Sequence, residues 1–448
     1  MLYFYKSQVM ARKKTFPRGI HPEENKLTAQ KPLEFLPPPE KVFIPLHQHF
    51  GAPASPLVKK GDEVLLGQKI GEASGAFSAH VHASVSGQVA AVEDIIHPNG
   101  YPVLAVIINN DGQDRPSPEM KEKADPLSLS PEEIKQRVKE AGIVGLGGAA
   151  FPTAVKLSPP KDKPIDTLII NGCECEPYLT ADHRLMLEFP EEIVKGAELA
   201  RRAVGASRII FGLEDNKPDA AASLRRHLHG LPAEVVLLKT KYPQGAEKNL
   251  IYALLKREVP RGGLPFDVGV LVQNVGTARA IWEACRFGKP LIERAITVTG
   301  PMIKEPKNLL VRIGTPLSYV ISSCGGLKEG ASLIVLGGPM MGLAQSSLDV
   351  PVIKGTSGVV ALREACLEEE LPCIRCGRCV DHCPMRLVPT QIVKFIQAEK
   401  WAEAETWGAL DCVECGCCQY SCPSKIRLVH WIRIGKNFII KLKRKKSA

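Results

Sequence analysis

Short apolar stretches separated by turn residues dominate the first part of the chain, and longer apolar stripes dominate the middle. Over residues 41–112 the stretches Lys41–Leu46, Val64–Leu66, Val89–Val92 and Val103–Ile108 alternate with Gly- and Pro-marked turns, which predicts an all-β unit. Residues 1–40, rich in Pro and Lys, read as an irregular N-terminal segment, and residues 113–130 (Asp114-Arg-Pro116-Ser-Pro118, Asp125-Pro126) as a linker. Strands and helices then alternate. Helices are predicted at Pro131–Ala141, Glu191–Val204, Pro218–His227, Ala246–Lys256 and Ala278–Phe287. Strands are predicted at Thr167–Ile170, Arg208–Phe211, Glu234–Leu238 and Val268–Val272. Such alternation predicts a doubly wound α/β unit over residues 131–290.

From residue 291 to 345 the pattern returns to short strands (Ile296–Thr299, Asn308–Ile313, Leu333–Leu336) around a helix at Pro316–Ser322. This predicts a small α+β unit that resembles a β-grasp module. The end, from Ile426 to Ile440, is basic and amphipathic. It suits a membrane surface or partner and equally a packed helix with a solvated tail over residues 431–448.

The totals narrow the class. A length of 448 residues suggests roughly three domains. With 44% hydrophobic and 24% charged residues, the composition is that of a globular protein. The net charge of +10 is partly concentrated in Lys441–Lys446, and aromatics make up 6%, with no aromatic-interleaved basic patch of the kind that stacks bases. Nucleic acid is therefore not an expected partner. No run of about 18 apolar residues predicts a transmembrane helix. Met1–Tyr5 is too short for the apolar core of a signal peptide, so the expectation is a cytoplasmic protein. Fourteen cysteines in a reducing compartment then point to metal rather than disulfides.

The cysteine spacing carries the most specific chemistry. Cys373-x2-Cys376-x2-Cys379-x3-Cys383-Pro384 recurs 39 positions later as Cys412-x2-Cys415-x2-Cys418-x3-Cys422-Pro423. Three cysteines at this spacing wrap one iron–sulfur cubane, and the fourth, before Pro, reaches the other cluster. The spacing assigns Cys373, Cys376, Cys379 and Cys422 to one [4Fe–4S] cluster, and Cys412, Cys415, Cys418 and Cys383 to a second. A pair of zinc sites is the competing reading, but zinc usually takes four ligands as two spaced pairs. Cys417 is surplus to either scheme. Cys173, Cys175, Cys285, Cys324 and Cys366 read as buried hydrophobes.

Iron–sulfur clusters pass single electrons, so a two-electron carrier as donor requires a flavin between them. Four loops in the α/β unit could hold one. The glycine-rich Gly145-Leu-Gly147-Gly148-Ala-Ala-Phe151-Pro-Thr153 follows a predicted helix rather than a strand, which weakens the ordinary dinucleotide reading. Leading into a helix at Phe151–Lys156, it could still cradle a phosphate with Lys156 as a cation, or be a packing turn. The others are Asn171-Gly-Cys173-Glu174-Cys175-Glu176, Tyr242-Pro-Gln-Gly245-Ala-Glu247-Lys248 and Gln273-Asn274-Val-Gly-Thr277. Taken singly, each could be an ordinary loop.

Together, in this order, the four loops resemble the FMN- and NADH-binding subunit of respiratory complex I. The all-β unit resembles the barrel-sandwich fold of lipoyl and biotinyl domains, but no Met-Lys or Asp-Lys pair marks Lys69 as a carrier lysine, and a plain structural domain is expected. Adding His21-Pro-x-Glu-Asn-Lys26 and the paired cysteine runs, residues 13–430 resemble the C-subunit family of Rnf ion-translocating electron-transport complexes. The resemblance implies FMN held by Gly145, Gly147, Gly148, Lys156, Asn171, Gly245, Asn274 and Thr277. It implies a nicotinamide stacked on the flavin near Phe151, with Glu174, Glu176 and Glu247 contacting NADH. No acid, base or nucleophile is implied. The implied function is a peripheral subunit on the cytoplasmic face of the inner membrane, passing electrons between NADH and ferredoxin through FMN and two [4Fe–4S] clusters to other subunits. Cys173 and Ala246 depart from the complex I pattern, which has Asp and Glu there. A soluble flavin/iron–sulfur reductase like the cobalamin reductases, and a relay scaffold without flavin, are the alternatives.

Overall fold

The computed structural model describes residues 13–363 and 369–447. Cys366 and Met1–Tyr5 lie outside them.

Four parallel strands make the central sheet, in the order Ala233–Leu238, Arg208–Glu214, Thr167–Gly172, Val270–Asn274. Alternate side chains enter two cores. Leu168, Ile170, Ile209, Phe211 and Leu271 pack against the helices on one face, while Ile169, Ile210, Val270 and Val272 pack against Glu247–Leu255 on the other. The first two crossovers run on one face and the third on the other, as the apolar runs predict for a doubly wound unit. The order therefore reverses between Thr167–Gly172 and Val270–Asn274, and ligands of such sheets bind beyond the strand ends at this point.

The helices begin where local chemistry allows. Ser130 and Glu133 form a reciprocal capping box at Pro131–Glu140. Asn274 caps Val275–Phe287 by accepting from the backbone N–H groups of Gly276 and Thr277. This helix starts three residues earlier than the apolar period suggests, because Val275-Gly-Thr277 is a weak helix former that becomes helical under the cap. A helix at Ala181–Glu188 was not expected; it lacks a side-chain cap of its own.

Residues 41–112 form two small antiparallel sheets, Lys41–Pro45, Pro102–Asn110, Gly87–Ile96, Glu63–Val64 and Ser55–Pro56, Lys69–Glu72, Val81–His82, around an apolar core. The third unit is larger than residues 291–345 suggest. Its six-stranded sheet takes Gly358–Leu362 into its centre and Leu33–Phe35, from the segment expected to be irregular, onto its edge. Leu33–Phe35 is too short to register as a strand, and its partner Lys307–Arg312 lies far along the chain. The expected linker is also engaged: Leu66 bridges Pro116, and Arg312 pairs with Asp114 at 2.9 Å.

The cysteine-rich region repeats itself. Arg375 and Glu414, Gly377 and Gly416, and Arg386 and Lys425 adopt positive φ at matching positions. The helices Arg378–Asp381 and Cys417–Tyr420 match likewise. Leu428–Ser447 is one helix, packed on Pro389–Gln397 through buried Ile432 and Ile439, with Trp401 stacked on Phe438 at 5.0 Å. Its cations reach carboxylates: Arg433 and Lys436 pair with Glu414, and Lys443 with Glu405. Of the two readings of the amphipathic end, packing accounts for its apolar face up to Ile439.

Candidate functional site

The four expected loops converge at the switch point of the parallel sheet. The glycine-rich loop is pinned at its base, where Gly145 N–H donates to Phe151 O at 2.8 Å and Val144 bridges Pro152. A Cβ on Gly147 would come to 3.7 Å from Asn274 Cβ, and one on Gly148, at φ +105°, would meet nothing within 4 Å. The loop thus presents bare backbone to open space above the strand ends, the property a phosphate or flavin cradle needs. It does not lead directly into a helix at Phe151, because only Thr153–Lys156 is helical and Pro152 stands outside it as the N-cap.

Several expected residues hold the cradle itself. Thr277, fully buried, accepts the Leu146 N–H at 2.9 Å through its hydroxyl, so it fixes the glycine-rich loop. Asn274 donates to Asp182 at 2.6 Å while capping its helix. Asn171 donates to Gly245 O at 2.9 Å and accepts from Cys173 N–H at 3.1 Å, tying two loops together. Gly245 sits close against them, since a Cβ would lie 3.2 Å from Cys173 Cβ and 3.4 Å from the Asn171 amide. Lys156 and Glu247 form an ion pair at 2.7 Å that joins the first and third loops.

The acidic residues part company. Glu174, at φ +46°, turns its carboxylate onto the N–H groups of Asp182 and His183 at 2.7 and 3.1 Å. It thereby caps Ala181–Glu188 from eight residues upstream, which explains how that helix starts. Glu176 points instead at the six-stranded unit, accepting the Met340 N–H at 3.1 Å; its other oxygen is buried without a partner. Burial pushes its carboxyl up to about 7. Lys26 organises this loop from beneath by donating to the carbonyls of Glu174, Glu176 and Leu179 at 2.8, 2.8 and 2.7 Å. His21–Lys26 is thus a brace, and burial together with the charge of Lys217 lowers the Lys26 pKa.

Two residues that the sequence did not single out complete the frame. Arg294, buried in the six-stranded unit, donates to Leu146 O and Thr356 O, both at 2.8 Å. Burial lowers its pKa to about 10, against the opposing charges of Asp182 and Glu174. Asp182 is pushed up to about 7 by burial and by the Glu174 carboxylate. Lys354 donates to His80 O and Gly142 O at 2.6 and 2.7 Å, and its burial lowers its pKa to about 7. No motif marks Arg294 or Lys354, since each is an isolated cation outside the four loops in sequence.

The structure brings one of the two expected cysteine sets together around a common space. Cys383, Cys412, Cys415 and Cys418 line one small cavity together with surplus Cys417. Cys379 and Cys422 are buried and share a core with Cys418, whereas Cys373 and Cys376 are exposed. Backbone N–H groups approach two sulfurs, Leu387 to Cys383 at 3.3 Å and Glu414 to Cys412 at 3.4 Å, the kind of contact that tunes a cluster. Cys417 borders the same cavity, and its Sγ lies 4.0 Å from Tyr242 O, in a cluster with Ile20, Tyr242 and Cys415. Of the other cysteines, Cys173, Cys285 and Cys324 are buried as expected. Cys175 is less so, and accepts the Gly245 N–H at 3.4 Å.

One consequence is a direct contact between the two halves of the site. Tyr242, which opens the third loop, packs on Cys415 and Cys417, and Gly416 abuts Met340 beside Glu176. The N-terminal segment seals the junction: Ile20 bridges Tyr242, while Arg18 donates to Val380 O and Gly19 to His382 O at 2.8 and 3.2 Å.

Four known domain families match successive parts of the chain. Residues 14–113 match the RnfC barrel sandwich hybrid domain, 138–283 the Nuo51 FMN-binding domain, 295–344 the SLBB domain and 372–426 the 4Fe-4S dicluster domain. FMN and two [4Fe–4S] clusters are thus the cofactors of this domain set, and the bare loop and the cavity lined by Cys383, Cys412, Cys415 and Cys418 suit them. The chain is 50% identical over 94% of its length to the C-subunit of a proton-translocating ferredoxin:NAD(+) oxidoreductase complex from Clostridium ljungdahlii, covering 93% of that protein. It is 49% identical over 96% of its length to the Na(+)-translocating counterpart from Acetobacterium woodii, covering 98%. With the C-subunit of the ion-translocating oxidoreductase complex of Rhodobacter capsulatus it shares 45% identity over 85% of its length, covering 74%. A solved structure of an NAD+-reducing [NiFe]-hydrogenase in the H2-reduced state shares the fold, at a TM-score of 0.50 and 21% identity, over 69% of this chain and 63% of that one. The chain belongs to the C-subunit family of the Rnf-type ion-translocating ferredoxin:NAD+ oxidoreductase complexes.

Proposed function

We propose that this chain passes electrons between NADH and ferredoxin as a peripheral subunit on the cytoplasmic face of a membrane-bound, ion-translocating complex. The observation that carries this reading is the contact of Tyr242 with Cys415 and Cys417, which sets the loops of the α/β unit directly against one cysteine group. Bound FMN supplies the conversion between electron pairs and single electrons. The chain's residues hold and enclose it. Gly145, Gly147 and Gly148 leave space for it, Asn171, Gly245, Asn274 and Thr277 shape the cradle, and Lys156 with Glu247 closes one side. Phe151 lines the side where the dinucleotide would bind, and Glu174 and Glu176 hold the loop beside it. Cys412, Cys415, Cys418 and Cys383 form the nearer cluster, and Cys373, Cys376, Cys379 and Cys422 the outer one. Among the described residues no helix is long and apolar enough to cross a membrane, and ion passage is assigned to partner subunits.

The test is an anaerobic titration of the reconstituted chain with NADH, following flavin absorbance. Stoichiometric bleaching is expected. A chain that holds its iron but binds no flavin would be a relay scaffold, and the reading would fail.

A further inference from the structure

The barrel-sandwich unit touches the glycine-rich loop through two phenylalanines. Phe50 and Phe77 come from neighbouring loops of that unit, and their rings gather around Phe151. Phe50 lies nearly parallel to Phe151 (5.7 Å between centroids, 28° between planes). Phe77 stands edge-on to Phe50 (6.4 Å, 82°) and inclined to Phe151 (5.9 Å, 61°). Two rings in line and one across them make a corner.

The arrangement is built rather than incidental. Phe50 N–H donates to Ala150 O at 3.0 Å and Ala52 N–H to Phe77 O at 2.9 Å, so backbone bonds hold all three loops in register. Between them Gly51, at φ +108°, cannot be replaced, since a Cβ would fall 2.0 Å from Phe77 O. Yet the rings so placed are poorly buried: Phe50 is 58% exposed and Phe77 48%. Large apolar rings held half in water beside the open space over Gly148 leave a planar surface without an occupant.

We infer that Phe50 and Phe77, with Phe151, grip a planar heteroaromatic ring of the nicotinamide dinucleotide, so that the barrel-sandwich unit forms one wall of the NADH site. This rests on the reading of the site as one for FMN and NADH. A flat, electron-poor or purine ring stacks on a phenyl face whichever end of the dinucleotide supplies it, and Phe77 limits its sideways slip.

The test uses full-length protein loaded with FMN and clusters, mixed rapidly with NADH. Phe50→Ala, Phe50→Leu, Phe77→Ala and Phe77→Leu are each expected to raise the half-saturating NADH concentration on the order of ten-fold, with the limiting rate of flavin reduction and the melting temperature of the Leu variants near wild type. Phe50→Tyr, which keeps the ring, should restore affinity. Repeating the series with reduced nicotinamide mononucleotide identifies the ring held: the penalty persists if it is the nicotinamide and disappears if it is the adenine. Wild-type affinity in the Leu variants would show packing alone and overturn the inference. A wild-type flavin that NADH does not reduce would instead sink the underlying reading.

Discussion

Replacing Arg294 by Met isolates the side chain that holds the glycine-rich loop from outside the α/β unit. The substitution removes donors to two carbonyls, Leu146 O and Thr356 O, both inside the protein. Each carbonyl left without its partner costs about 1–3 kcal/mol, and the neighbouring Asp182 and Glu174 also lose a buried countercharge. A loss of about 3–5 kcal/mol follows, or a fall in melting temperature on the order of 10 °C for a unit of this size. The pH dependence identifies the mechanism. Asp182 is an acid whose folded pKa, about 7, exceeds its unfolded value. Its favourable contribution is therefore complete below the unfolded pKa and is lost as pH rises through the folded one. Without Arg294 the folded pKa rises further, so the deficit of the variant should be larger near about pH 8 than near about pH 5. Thermal unfolding followed by circular dichroism at both pH values, with flavin retained per chain measured alongside, is the assay. A variant that melts within about 2 °C of wild type, or whose deficit does not grow with pH, would refute the reasoning.

Other outcomes follow from the same geometry. Gly148→Val should cost about 1–2 kcal/mol from its left-handed backbone and fill the open cradle, lowering flavin per chain while leaving iron content unchanged. Cys415→Ala should remove about half of the iron, whereas Cys417→Ala, which alters a buried thiol next to Tyr242, should leave iron at the wild-type level; metal analysis separates the two. Trp401→Ala removes the stack on Phe438, worth about 1 kcal/mol beyond area, and should hasten proteolysis within Leu428–Ser447.

Much of this was legible in the sequence for physical reasons. Parallel strands buried on both faces read as unbroken apolar runs, so Thr167–Gly172 and Val270–Asn274 were recognisable together with the loops that follow them. The cysteine runs stood out because cubane geometry fixes their spacing. What escaped was long-range. Leu33–Phe35 becomes a strand only because Lys307–Arg312 lies beside it, and Glu174 caps a helix that its own sequence leaves uncapped. Arg294 and Lys354 are single cations whose partners are backbone carbonyls, which leave no trace in side-chain patterns. Phe50 and Phe77 sat in turns of a unit read as a structural domain, and the backbone bond from Phe50 to Ala150 with the ring contacts to Phe151 brings them to the glycine-rich loop.

The central claim is that two adjacent cubanes occupy the paired cysteine loops, with Cys379 of one group sharing a core with Cys418 of the other. Metal analysis of anaerobically prepared protein, combined with electron paramagnetic resonance after chemical reduction, tests it most directly. The account expects about eight irons per chain and signals broadened by interaction between neighbouring clusters. Zinc in place of iron, or a single isolated cluster signal, would contradict it.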